Sequence, residues 1–272
     1  MLFKYLPIER IDVIQNLKIR FTPLISLNDP FEALPLVDLS DVESELMLSI
    51  EKDAEELWNS AAKHEQTKEN KLLLEEQKSI LLNSVKENVA PEVAGKELMS
   101  LLDEKFCILS LSRTEKSLLM WSHYASSNTG YVIEFDESHD FFRQKDMEGS
   151  ITKPIPVIYS EKRFKRSSNE HDYYQKMFCS KPLEWAYEEE ERLFRTFLSM
   201  DSAIGTDEHG KNINLLNIPK DCILGVYIGY KASKKTEEKI IAAVNRHDID
   251  CKIYKSGIHS TEYKMIFREI TK

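Results

Sequence analysis

A single break in texture does most to limit what this chain can become. From about residue 40 to residue 105 the sequence turns to Glu, Lys, Leu, Ala and Ser, with Gly95 its one glycine. Leu46, Ile50 and Leu57, then Leu72 to Leu74, Ile80, Leu81 and Val85, recur there at helical spacing. Pro91 interrupts, and the pattern resumes over about Val93 to Asp103. The spacing predicts three or four amphipathic helices, set as one packing layer or lid into a chain that is otherwise strand-rich. Short β-like runs stand at Leu2–Tyr5, Lys18–Thr22, Phe106–Ser112, Gly130–Asp136, Pro156–Tyr159, Trp185–Phe197, Ile223–Gly229, Asp250–Tyr254 and Lys264–Glu269. Helices are expected over Ile8–Asn16, Leu118–Tyr124, His171–Cys179 and Lys234–Arg246, and a loop over Ser199–Asn214. Strict β-α-β alternation is missing. That argues for an α+β fold with mixed or antiparallel sheets, as one domain over residues 1–272 with a helical insertion at about 40–105.

Charge and cysteine usage narrow the function classes. The net charge is −9, so broad attraction to nucleic acid or to an anionic membrane is not expected. Cys107, Cys179, Cys222 and Cys251 are far apart and form no C-x-x-C pair, which suits reduced cytoplasmic thiols and not a zinc site. The Rossmann and P-loop glycine signatures are absent. No apolar run approaches the ~20 residues a membrane-crossing helix needs, and the first residues hold no signal-like apolar stretch. The expectation is a cytoplasmic protein without a membrane span.

The most suggestive chemistry lies in Trp185-Ala-Tyr187-Glu188-Glu-Glu190-Glu-Arg192. In an extended strand, residues two apart share a side, so Glu188 and Glu190 are expected to project into one space. Two carboxylates on one cleft wall can hold a sugar hydroxyl and stabilise a neighbouring cation. A run of four acids also fits a solvated face. Lys162-Arg163-Phe164-Lys165-Arg166 is the one local basic patch, interleaved with an aromatic, and suits contact with a phosphate backbone.

Four blocks stand out in order. They are Leu2-Phe-Lys4-Tyr5 with Asn28-Asp29-Pro30-Phe31-Glu32; Ser110-Leu-Ser112; Met120-Trp121-Ser122-His123-Tyr124 followed by Gly130-Tyr-Val-Ile-Glu134-Phe-Asp136; and the Glu188-x-Glu190 block. In this order they are similar to a bacterial family known only as a domain of unknown function. The layout also resembles the ADP-ribosyltransferase superfamily, whose early basic residue, middle serine and late glutamate line an NAD cleft. The resemblance implies split mixed or antiparallel sheets clasping NAD as a substrate, with no metal. It implies Glu190 as the carboxylate beside the ribose, Glu188 as general base, and Ser110 or Ser112 fixing Glu190 or the ribose. Lys4, where that superfamily has Arg or His, meets the diphosphate; Arg20 is the less favoured choice. Tyr5, Trp121 or Tyr124 stack on nicotinamide. His123, Asn28 and Asp29 complete the set. The implied activity is transfer of ADP-ribose to RNA, DNA or protein by a toxin or phage-defence effector, with room for an antitoxin or regulator.

Plainer roles stand beside these. Lys4 fits an edge strand, Asn28 and Asp29 fit a turn, His123 a structural hydrogen bond, and Trp121 with Tyr124, three apart on a helix, a core face. Two other functions compete. One is a nucleotide-binding or nucleic-acid-binding module without turnover. The other is a metal-dependent nuclease drawing on Glu32, Glu134, Asp136, Glu188 and Glu190.

Overall fold

Leu2 to Leu6 form the first strand, β1, and it runs through the middle of the main sheet rather than along an edge. The computed structural model describes residues 1–32, 36–37, 40–88, 99–100, 102–103, 105–143, 152–166, 173–196 and 204–270. The main sheet continues with β2 (Thr22–Pro23), β3 (Phe106–Ser112), β4 (Tyr131–Phe135), β5 (Ile155–Pro156), β6 (Glu190–Thr196), β7 (Ile223–Ile228), β8 (Lys252–Ile258) and β9 (Met265–Ile270). Their order is β9-β8-β7-β4-β1-β3-β6-β5, with β2 also pairing to β3. β7 and β8 run parallel, and β1 lies antiparallel to both its neighbours, so the sheet is mixed. The α+β class expected from the sequence is what the chain adopts.

Alternation along β1 serves both faces of the sheet. Leu2 and Leu6 enter the larger core with Leu109, Ile133, Phe135 and Leu193. That core is covered by α1 (Asp12–Asn16) and by α6 (Lys234–Arg246), whose Ile240, Ala243 and Val244 lie three and four apart on one side. Ser233 caps α6 by accepting a hydrogen bond from the Thr236 amide. Phe3 and Tyr5 point the other way, into a second cluster with Val132, Tyr227 and the Met120 and Trp121 of α4 (Leu118–His123). Gly130 joins α4 to β4 because a Cβ there would sit 2.2 Å from the Leu6 carbonyl oxygen.

One junction in the sheet is weak. β1 pairs with β4 along its whole length, and β6 pairs with β3 from Glu190↔Ser112 to Thr196↔Phe106. Between β1 and β3, however, the register holds only Phe3↔Ser112. The strands thus form one continuous nine-stranded sheet instead of two separate small ones, yet it is nearly parted along this seam.

The helical insertion forms as α2 (Ser40–Ser60) and α3 (Lys68–Asn88), which pack on each other. Leu48, Leu57, Leu72 and Ile80 are exposed, so these positions do not act as the buried packing layer their spacing suggests. The helix expected over Val93 to Asp103 falls largely outside the described residues. α5 (Tyr173–Phe178) forms where a helix was expected from His171 on. All four cysteines are buried thiols, and burial pushes Cys107, Cys179 and Cys222 up to about 12. No described helix is long and apolar enough to cross a membrane.

Candidate functional site

The seam opens into a cavity of about 80 Å³ between β1, β3 and the start of β6. Lys4, Asn28, Ser110, Tyr124, Glu188 and Glu190 all line it. Five separate segments of the chain therefore meet at one place.

Glu188 and Glu190 do share a space, but not by strand alternation. Leu183–Glu188 is a short 3₁₀ helix, Glu189 takes a left-handed φ of 44°, and the strand begins only at Glu190. The turn at Glu189 folds the first carboxylate back over the second. Both reach the ammonium of Lys181, at 2.7 Å for Glu188 and 3.3 Å for Glu190. Glu32 joins them at 3.2 Å. Arg192 closes the cluster from the next inward position of β6. Its Nε and Nη2 donate to the two oxygens of Glu190, each at 2.9 Å, its Nη2 also donates to Glu32, and its Nη1 donates to the Phe178 carbonyl at 2.6 Å. None of Glu32, Glu188, Glu190, Lys181 or Arg192 is more than 5% exposed. Three carboxylates thus face two buried cations, which holds charges that water would otherwise have to solvate.

The two glutamates are driven apart electrostatically. Burial works to raise both. At Glu190, Arg192 and Lys181 outweigh it and hold the carboxyl down at about 2, with a further hydrogen bond from Ser110. At Glu188 burial wins over Lys181, and the pKa stands above its usual 4.5. The Tyr124 hydroxyl donates to Glu188 at 2.5 Å and itself accepts from the Asn28 amide at 3.0 Å. Unequal carboxylates side by side are the arrangement in which one stays ionised while the other trades a proton.

Lys4 reaches across the seam to donate to the Ser110 carbonyl at 2.8 Å. Burial lowers its pKa to about 8, although Glu190 opposes the fall. A lysine whose folded pKa lies below its unfolded 10.5 costs stability while it is charged. The cost is full below about 8 and fades as pH rises towards 10.5, where the unfolded chain also loses the proton. Lys4→Met is accordingly expected to stabilise the fold by about 1–2 kcal/mol at neutral pH. Urea midpoints for both proteins check this: the advantage of the variant must shrink across that pH window, and equal midpoints throughout would refute it.

The other residues singled out from the sequence divide. Tyr5 lines the cavity, and its hydroxyl donates to the Thr114 carbonyl at 2.8 Å. Ser112 also lines it, but its hydroxyl is spent on the Glu188 carbonyl at 2.7 Å, so it positions Glu188. Trp121 is fully buried in the second core cluster, with its indole N–H donated to the Glu115 carbonyl, and presents no face to a ligand. His123 is exposed beside the Tyr187 hydroxyl at 3.0 Å and does not line the cavity. Asp29 holds the turn, accepting from the Phe31 amide at 2.9 Å. Arg20 pairs with Asp207 at 2.5 Å, apart from the cleft. Lys162 and Arg163 line a second, larger cavity, while the Lys165 and Arg166 side chains lie outside the described residues. Of the carboxylates a nuclease would need, Glu134 accepts from Tyr227 at 2.9 Å and Asp136 from Ser138 at 2.6 Å, away from the cluster on Lys181. Among the described residues, no group of three or more His, Cys, Asp or Glu is arranged to hold a metal ion.

Lys181 was not singled out at all. It stands alone between Ser180 and Pro182, and only its place on the short Ser180–Pro182 strand brings it under the glutamates. Arg192 and Glu32 were in view as members of their blocks, without the ion pairing that joins them.

Residues 120–193 match the model of a family described as "Protein of unknown function (DUF2971)". The matched stretch holds Tyr124, Lys181, Glu188, Glu190 and Arg192, while Lys4, Asn28, Glu32 and Ser110 lie before it. No curated protein and no solved structure matches the chain.

Proposed function

We propose that this chain is an ADP-ribosyltransferase-like enzyme that cleaves NAD and passes the ADP-ribose to a macromolecule. One observation carries the reading. At the seam of a nearly parted sheet, an ionised Glu190 and a Glu188 of raised pKa face the same small cavity as Ser110 and Lys4. About 80 Å³ accommodates the edge of a ribose, not a dinucleotide, so the bulk of NAD lies along the open seam.

The reaction suits these groups. A lone pair on the acceptor forms a bond to C1′ of the nicotinamide ribose. The C1′–nitrogen bond breaks, and its electron pair returns to the pyridine ring, neutralising the positive nitrogen. Glu190 faces the positive charge that builds on the sugar and accepts from the 2′-hydroxyl. Glu188 takes the acceptor's proton, which its raised pKa favours. Ser110 and Arg192 keep Glu190 ionised and aimed. Lys4, still cationic at neutral pH, meets the diphosphate as a point charge. The biological setting that goes with such chemistry is a toxin or antiviral effector held in check by a partner.

A second reading has one specific observation in its favour. Arg192 occupies both oxygens of Glu190, while Lys181 and Tyr124 occupy those of Glu188. A cleft so fully paired also suits a nucleotide-binding module without turnover. The two separate on incubation with NAD labelled in its adenylate half, together with RNA, DNA and protein fractions. Label on one fraction, lost in Glu190→Gln, supports transfer. A rise in melting temperature with NAD and no release of nicotinamide supports the binding module. Neither binding nor release ends both.

A further inference from the structure

A second cavity, of about 410 Å³, backs onto the first, and Lys181 lines both. Phe31 and Phe164 stand in its wall, with Lys162 and Arg163 beside them. Phe31 is 51% exposed, although it sits in a turn whose backbone is fixed by Asp29 and Glu32. The fold does not bury that ring, and the Arg163 guanidinium lies over it at 5.9 Å from the ring centre. Phe164 is anchored on the core cluster that holds Met177 and Phe178. The site therefore offers aromatic surface, two cations at the mouth, and a floor shared with the glutamate cluster.

We infer that this cavity binds one unpaired base of a single-stranded nucleic acid, with the adjoining phosphates on Lys162 and Arg163. The inference rests on the transferase reading for its purpose, since it places the acceptor across Lys181 from Glu188. The binding itself does not depend on that reading. Base-on-aromatic stacking is indifferent to sequence and strong enough to anchor a strand. A duplex keeps its bases stacked on one another and has none to insert, so it is excluded. A volume of about 410 Å³ suits one nucleobase with its sugar. Glu161 and Glu184 also line the cavity and repel further phosphates. Only one or two phosphates are held, in keeping with a chain of net charge −9.

Fluorescence anisotropy with short labelled RNA, DNA and duplex probes, without NAD, tests this on the full chain. The single strands are expected to bind, and the RNA and DNA arms to show which sugar is preferred. Phe31→Ala is expected to weaken binding about tenfold, by the loss of one stacked base. Lys162→Ala with Arg163→Ala is expected to weaken it and to flatten the salt dependence, whose slope should be about −0.7 for each phosphate lost. These positions are exposed, and an unchanged melting temperature verifies the fold of each variant. Equal affinity of the variants and the parent chain would overturn the site, as would tighter binding of duplex, no binding at all, or displacement of the probe by NAD. NAD cleavage without any acceptor, measured in parallel, must survive in the Phe31 variant. Its absence from the parent chain, with strand binding intact, would instead remove the transferase reading and leave the binding site standing.

Discussion

Arg192→Ala is expected to cost the fold about 3–5 kcal/mol, enough to abolish or nearly abolish a stable native state. The guanidinium is fully buried and binds Glu190, Glu32 and the Phe178 carbonyl at once. Removing it leaves two carboxylates in a dry interior with Lys181 alone to balance them. The penalty comes from those stranded charges, so it must be recoverable. Arg192→Met combined with Glu190→Gln and Glu32→Gln removes both sides of the ion pairing and should restore most of the loss. Urea denaturation of the parent, the single variant and the triple variant measures both steps. A loss under about 1 kcal/mol for the single variant would mean that the pairing carries little of the fold. Acid adds a second readout. Glu190 has a folded pKa of about 2 against an ordinary 4.5, so its contribution is complete above 4.5 and is lost as pH falls to about 2. The parent chain should weaken steeply across that window, and the triple variant should not show that part of the decline.

The same cluster explains why the site was only half legible in the sequence. The spacing of Glu188 and Glu190 points to a shared space, and the space is real, but the route to it is a left-handed turn at Glu189. A glutamate seldom takes a positive φ, so no local preference announces that turn. The result coincides with strand alternation only because two reversals of direction replace none. Ser110-Leu-Ser112 was easier, since β3 and β6 pair Ser112 with Glu190 and Ser110 with Arg192, and the period of two alone sets the inward positions. Trp121 and Tyr124 show the limit of spacing on a helix. Three residues apart, they share a side, yet Trp121 sinks into the core while Tyr124 reaches the glutamates. Lys181 shows a different limit. Its role depends on strand Ser180–Pro182 lying beside Ile158–Ser160, a contact between segments that carry few apolar residues and no pattern strong enough to predict pairing.

Architecture and site share one cause. A strand pair that meets at a single register position leaves backbone and side chains open to a cavity in the middle of a sheet. Charged groups in such a place are costly unless they answer one another, and Lys4 is the one whose burial still depresses its pKa. Stability is given up at that position, which is where function most often lies.

Glu190→Gln is expected to lower kcat/KM for NAD cleavage by about 10²–10³, in the range seen when a single group facing transition-state charge is removed. The amide keeps the size of the carboxylate but loses the negative charge that the oxocarbenium-like sugar meets. Arg192 and Lys181 would then have fewer anions around them, so the variant's fold is to be verified by its melting temperature. Glu188→Gln should behave differently. It leaves Glu190 ionised and removes the proton acceptor, which costs about 10²–10⁴ in transfer to an acceptor. The sign of the pH dependence separates the two roles. With a pKa above 4.5, Glu188 must lose its proton to act, so the parent rate should fall as pH drops through that raised value. Glu190→Gln should retain this acid limb at a reduced rate, because the group responsible is untouched. Glu188→Gln should lose it and give a flat profile. Profiles that coincide for the two variants would dissolve the division of labour between the carboxylates, and with it the reason for placing a leaving nicotinamide at the seam.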